Sequence, residues 1–132
     1  MILDTSAIVA VIEDEPEADQ FLALMLDAPR VRMSASTYVD TGVVIDSRND
    51  PVLSRSLDTL LEELGVTIEP VTTEQAVIAR RAYQDFGKGR SHPAQLNFGD
   101  CFAYALAVTT GDSLLFKGED FTHTDIQPAA RN

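Results

Sequence analysis

Short apolar runs alternate along this chain with longer stretches whose apolar residues recur every three or four positions, the mark of strands separated by helices. Residues 1–3 form a run short enough for a buried strand, and residues 6–12 follow as a first helix. Residues 17–26 predict a second helix, with Phe21, Leu22, Met25 and Leu26 on one face. Residues 31–34 form a second strand. Ser36 is a suitable cap for a helix running to about Arg48, in which Asp40, Val43 and Val44 share a side and Asp40 faces inward. Residues 52–64 are amphipathic and stop at Gly65, residues 66–71 form a third strand, and residues 73–86 form a helix capped by Thr72 or Thr73 and ended by Gly87. Residues 87–95 make a loop with glycine hinges and a basic centre. Residues 99–109 are apolar almost all round, as in a helix buried mid-domain. Residues 114–116 form another strand, and the Ile126 region supplies a last edge strand.

This order has no long linker and no internal repeat, so residues 1–132 are expected to form one domain. Strands separated by helices imply a mainly parallel sheet covered on both faces. Ligands of such sheets collect at the carboxyl ends of strands, where Asp4 and Asp120 are expected.

Four carboxylates interrupt these apolar stretches. Asp4 follows Met1-Ile2-Leu3, Asp40 sits within Tyr38-Val39-Asp40-Thr41-Gly42-Val43, Asp100 precedes Cys101-Phe102-Ala103-Tyr104-Ala105, and Asp120 follows Leu114-Leu115-Phe116. Burying a carboxylate is costly, and two of them ~4 Å apart repel by about 4 kcal/mol at an effective dielectric of ~20. A divalent cation removes that repulsion and turns the cluster into a hydrolytic centre. All-oxygen ligands suit magnesium or manganese better than zinc. His92 and His123 are too widely separated for a histidine site and are expected to be exposed.

The net charge of −11 excludes a protein whose whole surface grips nucleic acid. Its distribution leaves room for a local basic edge, because Arg80, Arg81, Lys88 and Arg90 lie close together with only Asp85 opposing them. The acidic run from Glu13 to Asp19 is a solvated helix start around Pro16. Cys101 is the one cysteine and belongs to the apolar set. With no run long enough for a membrane span and no basic leader, the protein is expected in the reducing cytoplasm.

Three blocks together resemble a known family. Asp4-Thr5-Ser6-Ala7, Leu96-Asn97-Phe98-Gly99-Asp100-Cys101, and Leu114-Leu115-Phe116-Lys117-Gly118-Glu119-Asp120-Phe121 followed by Thr124-Asp125-Ile126 resemble the signature blocks of PIN-domain proteins, specifically VapC-type toxins of bacterial type II toxin-antitoxin pairs. The resemblance spans nearly the whole chain. It implies a three-layer α/β/α fold, a magnesium- or manganese-dependent endoribonuclease, and neutralisation by a cognate antitoxin. It places the family's acidic quartet on Asp4, Asp40, Asp100 and Asp120. The second position is usually glutamate, so Asp40 is one methylene short, and either its helix sits closer or a water bridges the gap.

On this reading Asp4, Asp100 and Asp120 hold the metal and Asp40 positions the attacking water. Ser6 either caps its helix or hydrogen-bonds a carboxylate or phosphate, and Asn97 either caps the Asp100 helix or orients a neighbouring acid. Arg80, Arg81, Lys88, Arg90 and Lys117 are candidates for holding the RNA backbone. Tyr83, Phe86 and Phe98 serve either the core or an unpaired base. Glu119 and Asp125 compete with Asp120 for the fourth acid. The expected partners are RNA, an antitoxin bearing an apolar anchor and a basic residue, and a second copy in a homodimer. The alternative is a degenerate PIN domain that binds partners without catalysis. A receiver-like domain lacks the paired acids after its first strand, and a haloacid-dehalogenase-type phosphatase would need an aspartate where Ser6 stands.

Overall fold

The computed structural model describes residues 1–130. Strand β1 (Ile2–Leu3) leads into helices α1 (Thr5–Ile12) and α2 (Ala18–Asp27), followed by β2 (Arg32–Ser34), α3 (Ala35–Asp46) and α4 (Pro51–Glu63). Strand β3 (Thr67–Glu69), helices α5 (Thr73–Phe86) and α6 (Phe98–Thr110), and strand β4 (Leu114–Leu115) complete the order. The four strands form one parallel sheet, ordered β3-β2-β1-β4.

Successive residues of a strand point to opposite faces, and the two-residue strands β1 and β4 use this fully. Ile2 and Leu114 pack with α5 and α6 on one face, whereas Leu3 and Leu115 pack with α1, α2, α3 and α4 on the other. All four side chains are fully buried, which stabilises by roughly 1.5–3 kcal/mol each and explains how such short strands organise three layers.

Helix ends follow from local polar chemistry. Asp4, Ser34, Asp50, Thr72 and Asn97 each cap a helix by accepting a backbone N–H, and Gly111 closes α6 in the left-handed conformation at φ 69°. The cap of α3 is therefore Ser34, not Ser36. Strand β2 runs directly into the helix, so the capping oxygen must come from the last strand residue, and it accepts from the Ser36 amide at 3.2 Å.

Three further expectations are corrected. Strand β3 stops at Glu69, because Pro70 has no amide to donate and β2 offers only three partners. No strand forms around Ile126. Instead the Leu114 amide donates to Gln127 and its carbonyl accepts from Ala129, with a single bridge at the donorless Pro128. Val43 points outward and is 63% exposed, whereas Val44 turns in. Among the described residues no helix is long and apolar enough to cross a membrane.

Candidate metal centre

The turn from β1 into α1 places Asp4 where strand and helix meet. Its amide donates to the Leu115 carbonyl at 3.0 Å, anchoring it to β4. Its Oδ2 accepts from the Ser6 amide at 3.0 Å and the Ser6 hydroxyl at 2.6 Å. Ser6 Oγ in turn accepts from the Lys117 amide at 2.9 Å. Asp4, not Ser6, is therefore the cap of α1, because Ser6 already lies inside the helix. Of the two readings of Ser6, the hydrogen bond to a carboxylate is the one that holds. Asp4 is only 4% exposed. Burial, together with the charge of Asp40, holds its carboxyl above the ordinary value against the opposing Ser6 hydrogen bonds.

Asp100 enters from the first turn of α6. Its Oδ2 accepts from the Asn97 amide at 3.0 Å while the Asn97 side chain accepts from the Asp100 amide at 2.9 Å, a reciprocal capping box. Asn97 therefore both caps the helix and orients the acid. Burial of Asp100, then the charge of Asp4, and finally the hydrogen bond and charge of Asp120 push its carboxyl up to about 8, despite the Asn97 amide.

Asp40 approaches from α3. Thr5 Oγ1 donates to its Oδ2 at 2.7 Å. Asp120 comes from the loop beyond β4, five residues past the strand end, so it is not a strand-terminal residue. Asp4, Asp40, Asp100 and Asp120 nevertheless line one cavity of about 340 Å³ with Thr5, Ser6, Val44 and Asn97. Neither competitor for the fourth acid lies there. Glu119 faces the neighbouring cavity of Gln20 and Phe116, and Asp125 accepts from the Tyr104 hydroxyl at 2.6 Å.

Lys117 borders the acidic cavity, but its ammonium turns to Glu15 at 3.1 Å and Glu17 at 3.0 Å, which raise its pKa. It is therefore committed to the carboxylates between α1 and α2. Among the described residues lining the cavity, no other cation faces the acids. Charge and donor type thus fit an oxygen-preferring divalent ion. Asp4 Oδ1 remains available, since Ser6 engages only Oδ2. Among the described residues no three of His, Cys, Asp or Glu close on one ion position, so the three acids expected to hold the metal line the cavity without forming a ready-made cage.

The other sequence-identified residues spread out. Arg80, Lys88 and Tyr83 line an apolar groove of about 640 Å³ between α5 and α6, together with Phe98, Phe102 and Asn97. Asn97 borders both this groove and the acidic cavity. Arg81 and Arg90 are exposed and line neither. Phe98 is 78% exposed and so does not serve the core, whereas Phe86 packs into it beside Tyr104. His92 is half-buried, contrary to expectation, because its ring packs edge-on to Phe86 and accepts from the Ala94 amide; His123 is exposed. Cys101 is buried and its thiol is pushed up to about 11 by burial and by Asp100, in keeping with its reading as a small core residue. Sequence reasoning passed over Thr5 and Gly99, which flank Asp40. The signal for Thr5 was a hydroxyl directly after an acid in the first helical turn.

A PIN domain model matches residues 1–127 of this chain. The chain is 52% identical over 129 residues to Ribonuclease VapC28 of Mycobacterium tuberculosis, covering 98% of this chain and 97% of that one. It is 48% identical to Ribonuclease VapC42 of the same species, covering 98% of each. The crystal structure of M. tuberculosis VapC20, a sarcin-ricin loop cleaving toxin, superimposes with a TM-score of 0.75 at 16% identity, over 99% of this chain and 98% of that one. A toxin-antitoxin complex from Klebsiella pneumoniae gives a TM-score of 0.70 at 18% identity, over 94% and 92%. With a parallel sheet between two helical layers and four acids in one cavity beside it, the chain belongs to the PIN-domain family, among the VapC ribonucleases.

Proposed function

We propose that this protein is a toxin that cleaves RNA phosphodiester bonds in the cytoplasm with magnesium or manganese and is silenced by a cognate antitoxin. The observation that carries the reading is the convergence of Asp4, Asp40, Asp100 and Asp120 on one cavity with no facing cation among the described residues, in a chain about half identical to VapC ribonucleases.

When bound, the ion acidifies a water and offsets the charge that develops on the phosphate oxygens. Asp4 and Asp100 are its holders, with Asp120 as the third acid through a direct or water-bridged contact. Ser6 keeps Asp4 from rotating, and the capping box does the same for Asp100. Asp40 takes the role of orienting the attacking water and drawing its proton. Arg80 and Lys88, on the groove that shares Asn97 with the cavity, are placed to hold the RNA backbone, and exposed Phe98 beside them offers a stacking surface. Arg81 and Arg90 add longer-range attraction, and Lys117 does so only if released from Glu15 and Glu17.

Val39 and Val43, one turn apart on α3 and both exposed, supply apolar surface of the kind that a homodimer would cover. A partner with an apolar anchor and a basic residue that reaches the acids would fit an antitoxin. The test is incubation of purified, antitoxin-free protein with defined RNAs. Cleavage that needs magnesium or manganese, stops with chelator and fails in Asp100→Asn is the expected outcome, and sequencing the fragment ends identifies the target. Absence of cleavage of any RNA would favour the non-catalytic binding module instead.

A further inference from the structure

The Asp40 carboxylate is closely packed on two sides. On one side Thr5 Oγ1 donates to Asp40 Oδ2 at 2.7 Å. Thr5 is itself held by Thr41, whose hydroxyl lies 2.8 Å from the Thr37 carbonyl and 3.1 Å from Thr5 Oγ1. A chain of hydroxyls from α3 to the first turn of α1 thus fixes where Thr5 points. On the other side lies Gly99, in the first turn of α6. A Cβ there would sit 3.0 Å from Asp40 Oδ2 and 3.3 Å from its Cγ, closer than ordinary carbon contacts allow.

Gly99 has no need of glycine for its backbone, since it lies inside a regular helix and lacks positive φ. Glycine in that setting weakens a helix relative to alanine. What glycine provides here is room. It lets the first turn of α6 lie directly against the Asp40 carboxylate.

We propose that Thr5 and Gly99 are positioning residues that seat Asp40 for its role in RNA cleavage, Thr5 by aiming the carboxylate and Gly99 by admitting it. The proposal rests on the ribonuclease reading above. It also separates this role from a merely structural one. Thr5→Val keeps the shape of the side chain and leaves the Thr41 hydroxyl bonded to Thr37, so no buried donor is orphaned. Gly99→Ala should raise or preserve the melting temperature while harming the chemistry.

The test measures metal-dependent RNA cleavage at saturating manganese for Thr5→Val, Thr5→Ser, Gly99→Ala, Asp40→Ala and the double variant Thr5→Val/Asp40→Ala, with calorimetric manganese affinities and melting temperatures for each. Expected are a three- to thirty-fold fall in kcat for Thr5→Val and Gly99→Ala with melting temperatures unchanged or raised, and near-full activity in Thr5→Ser. Thr5→Val should add nothing once Asp40 is alanine. Wild-type kcat in both Thr5→Val and Gly99→Ala overturns the proposal, as does a double variant whose loss is the product of the single losses. If wild type binds manganese but cleaves no RNA, the ribonuclease reading fails. The seat is then judged on crystal structures of the variants, where an Asp40 carboxylate that turns away in Thr5→Val and returns in Thr5→Ser supports it and an unmoved carboxylate overturns it.

Discussion

Replacing Asp100 by asparagine separates the two demands on that side chain, closing the start of α6 and carrying charge into the acidic cavity. Asparagine Oδ1 can accept from the Asn97 amide as the carboxylate does, so the capping box survives and only the charge is lost. The carboxyl is pushed up from 3.8 to about 8 by burial and by its acidic neighbours. For an acid whose folded pKa is raised, the folded state retains a proton that the unfolded chain releases. Metal-free stability is therefore highest below the unfolded value and falls as pH rises through the window from about 4 to about 8. At about pH 7 the ceiling for one group is ~4 kcal/mol, taking ~1.4 kcal/mol per pH unit. Water entry and rearrangement of Asp120 reduce this to an expected 1–3 kcal/mol. Metal-free Asp100→Asn should thus melt about 3–10 °C above wild type near neutral pH and lose most of the downward slope with pH. Magnesium or manganese should reverse the order, stabilising wild type by about 4.1 kcal/mol at about a thousand times Kd and the variant hardly at all. The assay is thermal unfolding from about pH 5 to 8 with chelator and with saturating metal. A variant less stable than wild type in chelator, or equally stabilised by metal, would refute the electrostatic account.

Asp40→Ala should slow RNA cleavage about tenfold or more at saturating metal, the loss expected when ~1.4 kcal/mol of transition-state stabilisation is removed, checked by single-turnover kinetics. Ser6→Ala should weaken manganese affinity by about 10–100-fold in calorimetry, because the residue that orients Asp4 and ties it to the Lys117 amide is lost. Cys101 should resist thiol reagents near pH 8 in the native protein and react fully once unfolded, because its thiol is buried and pushed up to about 11. Leu115→Ala should cost about 2–5 kcal/mol in denaturant unfolding, since that side chain is fully buried at the end of β4 beside the cavity.

The element order was legible because it depends on local alternation and short-range chemistry. The span of α5 and its closure at Gly87 follow from Thr72 as a cap and from apolar spacing that no distant contact overrides. Errors arose where a distant partner decides. Ser34 displaced Ser36 as cap because β2 runs straight into α3, and the Ile126 region stayed irregular because Pro128 cannot extend a ladder with β4. Val43 and Val44 shared the expected face with Asp40, yet only Val44 turned in, toward the acidic cavity.

The acids themselves could be found in sequence because charge within apolar runs is conspicuous, but the parts that aim them could not. Thr5, Ser6, Asn97 and Gly99 are ordinary helix-start residues, and two of the four act on an acid through atoms that also serve the cap, the Ser6 amide and the Asn97 amide, whereas Thr5 acts through its hydroxyl and Gly99 through the room its missing Cβ leaves. Every acid but Asp120 thus has its orientation set at a helix start. Asp4 and Asp100 lie in the opening turns of α1 and α6, while Asp40 reaches from α3 to meet both turns at Thr5 and Gly99. One consequence is that helix stability and acid geometry cannot vary independently at this site. A substitution that improves a cap or a helical propensity there, such as alanine at Gly99, moves a carboxylate, and one that frees a carboxylate opens a cap. Asp120 lies outside this constraint on a loop beyond β4, and its tie to the cluster runs through Asp100, so a change at the start of α6 reaches it at second hand.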